Sequence, residues 1–482
     1  MSIMLFWTVL KKSFQRGKSM SIHEECGVFG VMSKRPTNVA EFCYYGLCAL
    51  QHRGQESCGI VVNADGKIAS YKDLGLVGEV FSKDTLASFP LGTMAVSHTR
   101  YGTTGGTSRR NCQPIEVNHQ KGHMAIAHNG NLSNAAKLRS RLELGGAIFH
   151  STSDTEIIAY IVTRERLFVS SIEEALSSAM NTLEGAYSLI LMSPKKLLCA
   201  RDPHGFRPLC YGITKDGTYV VASESCALNA VGAEFVRDVE PGEIIIFSKD
   251  GLVSRKEHCK KFEKRICAFE YIYFSRPDSV VDGQSVHKAR MNAGKILAQN
   301  DNVNADIVIG VPDSGLDAAL GYSQASGIPY EIGLIKNKYI GRTFIAPNNR
   351  ANQVNIKLSA IKEVINEKRI VLIDDSIVRG TTSGRIVSLL RNAGAKEIHM
   401  RVSAPPFFHP CYYGTDIDSE DNLIAVHHQV PEIAKMIGVD SLKYLPLEKL
   451  EVLCGCKHYC SACFDGNYPT GISSNTVKNS FE

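Results

Sequence analysis

Ile370-Val-Leu-Ile-Asp-Asp-Ser-Ile-Val-Arg-Gly-Thr-Thr-Ser383 decides the fold of the carboxyl-terminal half. Its four leading apolar residues, Ile370 to Ile373, read as a buried strand of a parallel sheet, because a strand covered on both faces needs no alternation. Asp374 and Asp375 fall where that strand ends. In open α/β sheets, ligands bind just beyond the carboxyl ends of the strands. An apolar-periodic run (Ile386, Leu389, Leu390) follows and reads as a helix. Between strand and helix, Gly380 permits a tight turn. Backbone N–H groups and the hydroxyls of Ser376, Thr381, Thr382 and Ser383 can then surround a phosphate at the helix start. No Gly-Lys-[Ser/Thr] follows, so this is not a Walker loop. A carboxylate pair beside a phosphate nest repels a bare polyphosphate. It suits a sugar phosphate whose hydroxyls the acids accept from, with a divalent cation nearby.

The whole string resembles the phosphoribosyl-pyrophosphate (PRPP) motif of the type I phosphoribosyltransferases. The resemblance implies that Asp374 and Asp375 contact the ribose hydroxyls and the Mg²⁺ shell, and that residues 376–383 hold the 5′-phosphate.

Working outward, a chain of 482 residues has room for two or three domains and a large core. Part of its net charge of +5 comes from Lys11, Lys12, Arg16 and Lys18. The remainder is close to neutral, which implies neither a nucleic-acid nor a membrane surface. Fifteen cysteines, an odd number and mostly scattered, argue for a reducing compartment, taken as the cytoplasm, with thiols or metal ligands instead of a disulfide framework. No window has the apolar length of a transmembrane helix. Residues 1–25 are expected to be a propeptide, with translation starting at Met1 or Met20.

In the amino-terminal half, Cys26-Gly-Val-Phe-Gly30 alone would read as a strand with a core thiol. Further motifs follow: Gln51-His-Arg-Gly-Gln-Glu56, Ser97-His-Thr-Arg-Tyr-Gly102, Ala127-His-Asn-Gly-Asn131 and Ser153-Asp-Thr-Glu156. Together they resemble the glutaminase domain of class II amidotransferases, whose nucleophile is amino-terminal (Ntn hydrolases). Hydrolysis of the glutamine amide needs a nucleophile, a base, an oxyanion hole and a grip on the amino-acid end. A thiol near neutral pH is mostly protonated and needs a base close by. Were residues 1–25 removed, Cys26 would gain a free α-amine with an ordinary pKa of about 7.7–8.0, able to serve as that base. The resemblance implies that Asn129 and the Gly130 N–H form the oxyanion hole, that Arg100 clamps the glutamine carboxylate, and that Asp154 takes its ammonium. Plainer readings stand beside these: Arg100 and Asp154 as an ion pair, and Asn129-Gly130 as a hairpin turn. His98 and His128 are expected to be structural.

Helical periodicity over 172–183 and strand patterns at 186–192, 220–223 and 243–247 fit an αββα sandwich ending near residue 255. The charged stretch 254–265 is expected to be a solvated crossing into a second α/β domain, residues 256–482, with a parallel sheet flanked by helices. There, 306–310 reads as a strand and Val311-Pro-Asp-Ser-Gly315 as a turn into a helix. The motif Lys336-Asn-Lys-Tyr-Ile-Gly-Arg-Thr-Phe344 carries Lys336, Lys338 and Arg342 around Gly341.

Four cysteines, Cys454, Cys456, Cys460 and Cys463, crowd into ten residues, and spacing alone suggests a local zinc site. With Cys267-Ala-Phe-Glu-Tyr-Ile-Tyr-Phe-Ser-Arg-Pro-Asp278 added, residues 20–475 resemble the glutamine-dependent PRPP amidotransferase family, iron–sulfur type. That resemblance implies a [4Fe–4S] cluster on Cys267, Cys411, Cys460 and Cys463, and Ser314 on Mg²⁺ with Asp374 and Asp375. It implies a loop at 336–344 that closes over PRPP, with Lys336 and Arg342 on the pyrophosphate. An ammonia passage near Tyr271 and Phe274, a homotetramer and feedback inhibition by purine nucleotides follow from it as well. The expected activity is formation of 5-phosphoribosylamine, glutamate and pyrophosphate from PRPP, glutamine and water, the first committed step of purine synthesis. The alternatives are a PRPP-binding regulator with decayed catalysis, or a glutaminase fused to another synthase.

Overall fold

The structure, a computed structural model, describes residues 26–101, 108–337, 358–417 and 419–472. The expected propeptide and the loop residues Lys338, Gly341 and Arg342 lie outside the described residues.

The amino-terminal half is two antiparallel sheets packed face to face. One has seven strands, with β1 (Gly27–Thr37) and β4 (Gly92–Arg100) at its centre beside β2 (Ser57–Ala64). The other has six, with β6 (Gly122–Leu132) paired to β7 (Gly185–Met192) and β7 to β8 (Leu197–Arg201). Period-two alternation explains why these strands are apolar throughout. Val28, Val61 and Val96 point into the space between the sheets, against Ala127 and Ile190. Their neighbours Phe29, Ile60 and Val62 point outward, onto α1 (Val39–Ala49). On the far side, Ile126, Leu189 and Leu191 meet α3 (Asp154–Glu165) and α4 (Ile172–Met180), with α2 (Ala135–Leu144) completing that layer. Every sheet face is therefore covered, and the layers run αββα as expected.

Asn129 and Gly130 are not a hairpin turn. They lie inside β6, in register with Ser188 and Tyr187 of β7, because the strand runs on to Leu132. At Gly130, φ is +139°, and a Cβ there would sit 2.2 Å from the Ala186 carbonyl oxygen, so glycine is demanded by the packing and not by a reversal of the chain.

The carboxyl-terminal half holds a four-stranded parallel sheet, ordered β15 (Ile307–Gly310), β18 (Arg369–Asp374), β19 (Glu397–Val402) and β20 (Ser441–Tyr444). Ile370 to Ile373 are fully buried, the expected consequence of helices on both faces. Two of these helices, α6 (Val286–Ala298) and α7 (Gly315–Ser326), touch backbone to backbone. A Cβ on Gly294 would lie 1.8 Å from the Ala318 carbonyl oxygen, and one on Gly321 2.0 Å from that of Met291. Helix α8 (Thr381–Asn392) starts directly after Gly380, whose φ of +76° makes the turn. Between β14 (Ile266–Cys267) and α6, the run Glu270–Phe274 forms a single π-helical turn. Among the described residues no helix is long and apolar enough to cross a membrane.

Candidate active sites

At one end of the sandwich, β1, β4 and β6 bring four of the expected residues together. Gly27 is the register partner of Thr99, and continuing that pairing sets Cys26 beside Arg100. The Cys26 thiol lies 3.8 Å from the Tyr101 carbonyl oxygen. His98 joins the two sheets at this end, its Nε2 lying 3.0 Å from the His128 carbonyl oxygen. Burial pushes the His98 imidazole down to about 3, so it is neutral and structural.

Asn129 is fully buried, and among the described residues neither its amide nitrogen nor its amide oxygen has a hydrogen-bond partner. Such a group costs about 1–3 kcal/mol when left unmet, so the Asn129 amide is available to a ligand. Asp154 opens α3. Burial raises its carboxyl, but His128, 3.4 Å away, and the Leu132 N–H, 3.0 Å away, outweigh that and hold it low. His128 thus lies directly against Asp154 at the start of α3. Arg100 does not pair with Asp154. Its guanidinium meets Glu56 at 2.8 Å, so the plain ion-pair reading falls on a different acid.

The second site lies beyond the carboxyl ends of β15 and β18. It is a cavity of about 350 Å³ lined by Ser314, Lys336, Asp374, Asp375 and residues 376–383 of the string that opened the sequence analysis. Asp374 is raised well above the usual carboxylate range by burial and by Asp375. Asp375 is raised by burial too, although it accepts hydrogen bonds from the Ser314 and Ser376 hydroxyls. Two buried, unwilling carboxylates at a strand end fit a divalent cation with its water shell and a sugar diol, which would restore their charged state. Lys336 reaches Asp313 at 2.6 Å, at the mouth of the cavity.

His52 and Gln55 also line this cavity, although they belong to the amino-terminal half. They flank Arg53, to which the sequence pattern alone assigns no role. The Arg53 guanidinium is fully buried. Its Nε donates to the Cys26 carbonyl oxygen at 3.1 Å, and its two Nη atoms reach Glu224 at 2.6 Å and Glu270 at 2.7 Å. Arg207, equally buried, approaches Glu270 at 3.5 Å and donates to the Tyr413 carbonyl oxygen at 2.7 Å. Burial would raise Glu270, but Arg53 and then Arg207 keep it ionised. The signal was present in the sequence: Glu270 is the one acid in the apolar run 266–274.

The cysteine tail comes back to the same region. Cys267 on β14 is the register partner of Cys460 on β21 (Tyr459–Cys460). The Phe408 and His409 N–H groups donate to the Cys463 carbonyl oxygen, which brings the Cys411 loop alongside. Burial pushes the Cys463 thiol up, and the fields of Cys411, Cys267 and Cys460 add to that. Burial likewise pushes Cys460 up to about 12. Three buried thiols and the half-buried Cys463 thus come from three segments of the chain, and an iron–sulfur group bound there would offset the charge of their thiolates. Among the described residues no three His, Cys, Asp or Glu side chains form a group that could hold a metal ion, and this applies to the local zinc reading of the tail and to the four-cysteine set alike.

These two centres define a class: a glutamine-hydrolysing domain joined to a phosphoribosyl-transferring one. Comparison with known proteins agrees. A family model described as a glutamine amidotransferase domain matches residues 98–230, and one described as a phosphoribosyl transferase domain matches 278–434. Amidophosphoribosyltransferase of Bacillus subtilis (strain 168) is 47% identical over 465 residues, covering 95% of this chain and 96% of that protein. The enzyme of the same name from Methanocaldococcus jannaschii is 48% identical over 464 residues, covering 93% of this chain and 98% of that protein. A solved structure described as the allosteric regulatory enzyme of purine biosynthesis superposes with a TM-score of 0.88 at 47% identity, covering 94% of this chain and 98% of that one. Another, glutamine PRPP amidotransferase from B. subtilis complexed with ADP and GMP, gives 0.87 at 46% identity, covering 94% and 99%. The chain belongs to the amidophosphoribosyltransferase family.

Proposed function

We propose that the chain makes 5-phosphoribosylamine from PRPP, with nitrogen taken from glutamine, and that the residues above divide the work as follows. Removal of residues 1–25 frees the Cys26 α-amine, which takes the thiol proton. The thiolate attacks the glutamine amide carbon. Asn129 and the Gly130 N–H meet the oxyanion, the α-amine proton goes to the departing ammonia, and water then resolves the thioester to glutamate. Arg100, shared with Glu56, grips the glutamine carboxylate, and Asp154, oriented by His128, takes the ammonium.

At the other centre, Asp374 and Asp375 hold the ribose hydroxyls, with Ser314 at the edge of the cation shell. Residues 376–383 hold the 5′-phosphate through the turn at Gly380. Lys336 and Arg342 hold the pyrophosphate as it leaves. Mg²⁺, when bound, neutralises charge on the pyrophosphate. Closure of the loop after Lys336, and a passage past Tyr271 and Phe274, would keep ammonia from water. Cys267, Cys411, Cys460 and Cys463 would carry the [4Fe–4S] group, which pins the tail. Purine nucleotides would bind as regulators, a reading supported by the B. subtilis enzyme's complex with ADP and GMP, and the chain would assemble as a homotetramer in the cytoplasm.

The unpartnered Asn129 amide on one side of Arg53, and the paired acids in the cavity on the other, carry this reading. Glutamine labelled with ¹⁵N at its amide, incubated with PRPP and Mg²⁺, should yield glutamate, pyrophosphate and labelled phosphoribosylamine in equal amounts. Pyrophosphate release that ignores glutamine and ammonia alike would end the proposal, and a mature terminus other than Cys26 in a mass spectrum would remove the assigned base.

A further inference from the structure

The two centres are joined by a run of hydrogen bonds that passes through buried side chains and the backbone carbonyls of Cys26 and Ser275. Arg53 Nε donates to the carbonyl oxygen of Cys26 at 3.1 Å. Both Nη atoms of Arg53 donate to Glu270, at 3.0 and 2.7 Å, a two-pronged fit that fixes orientation as well as distance. The same carboxylate accepts from the Ser275 hydroxyl at 2.7 Å. Ser275 in turn offers its carbonyl oxygen to Arg290 Nη2 at 2.7 Å, and Arg290 also holds the carbonyl oxygens of Tyr271 and Tyr273 at 2.9 Å. Ser275 and Arg290 both line the cavity that holds Asp374 and Asp375. Arg53 and Glu270 are 217 positions apart in sequence, and each side chain is wholly buried.

Stability alone is a weak reason for such a network. A buried ion pair roughly breaks even against well-packed apolar residues, and what this one adds is fixed geometry. The geometry specified here is that of the nucleophile. The bond to the Cys26 carbonyl sets the backbone unit that bears both the thiol and the α-amine. A displacement of about 1 Å at such a centre costs on the order of 10²-fold in rate.

From this we infer that Glu270, a residue of the phosphoribosyl side, is a positioning residue for glutamine hydrolysis: it aims Arg53 at Cys26 and ties that aim to the wall of the PRPP cavity through Ser275 and Arg290. The inference rests on Cys26 being the glutamine nucleophile. It requires that disturbing Glu270 damage one half-reaction and spare the other.

The test is Glu270→Gln in the mature protein beginning at Cys26, assayed with two nitrogen sources, glutamine and ammonium chloride. With glutamine, kcat should fall about tenfold or more, while the KM for PRPP and the rate with ammonium stay within about twofold. Arg53→Lys keeps the charge but loses the fork and should show the same split. An equal fall with both nitrogen sources, or no fall with either, overturns the inference, as does failure of both variants to fold. Inability of the unaltered protein to use glutamine would instead overturn the assignment of Cys26.

Discussion

Cys267 and Cys460 are direct register partners in a two-residue parallel pair, although 193 positions separate them in the chain. In the proposed reading a [4Fe–4S] group on Cys267, Cys411, Cys460 and Cys463 adds to the hydrogen bonds that hold this tail, among them those from the Phe408 and His409 N–H groups to the Cys463 carbonyl oxygen. Cys460→Ser should therefore abolish bound iron and sulfide, remove the visible absorbance of an anaerobic preparation and lower the thermal midpoint. Iron retained at the normal stoichiometry would place the ligands elsewhere.

Asn129→Ala removes a buried amide that the resting protein leaves unpartnered. Glutamine-dependent turnover should drop by about 10²–10³, the usual cost of one oxyanion donor. Ammonia-dependent turnover should hold, and the thermal midpoint should not fall, because no resting hydrogen bond is lost. Steady-state kinetics with each nitrogen donor and a melting curve decide it.

Asp374→Asn tests the other centre with nearly the same shape and one charge fewer. Both nitrogen sources should suffer alike, by about 10² or more, since the loss falls on PRPP and its cation. Glutamine hydrolysis without PRPP should continue. A variant impaired with glutamine alone would contradict the assignment.

His98 gives a pH signature. Burial holds its folded-state pKa at about 3, against an ordinary value near 6.5. The unfolded chain therefore binds a proton in that window and the folded chain does not. The stability concerned is fully present above pH 6.5 and is lost as pH falls toward 3. Thermal midpoints measured across this range should fall less steeply in His98→Gln than in the unaltered protein; parallel curves would assign the acid sensitivity to other groups.

Much of this was legible in the chain. The 370–383 string carries strand, acids, turn and helix in consecutive residues, so local pattern sufficed, and the structure puts its residues around one cavity. The αββα layers followed from motifs and alternation. What pattern could not supply was pairing across the fold. Arg53 sat unremarked inside a motif, because its partners Glu224 and Glu270 are 171 and 217 positions away. The plainer alternative pairs Arg100 with Asp154, whereas in the structure Glu56, one residue before β2, takes Arg100, since β2 and β4 are neighbours. Asn129-Gly130 has the composition of a turn, and only the length of β6 shows that the chain does not reverse there.

The glycines where α6 and α7 meet have a mechanical consequence. With no room for even a methyl group between two carbonyl-lined backbones, any side chain larger than hydrogen at Gly294 or Gly321 would wedge these helices apart. An engineer seeking to alter substrate entry should therefore work on the rim of the cavity and leave this seam untouched.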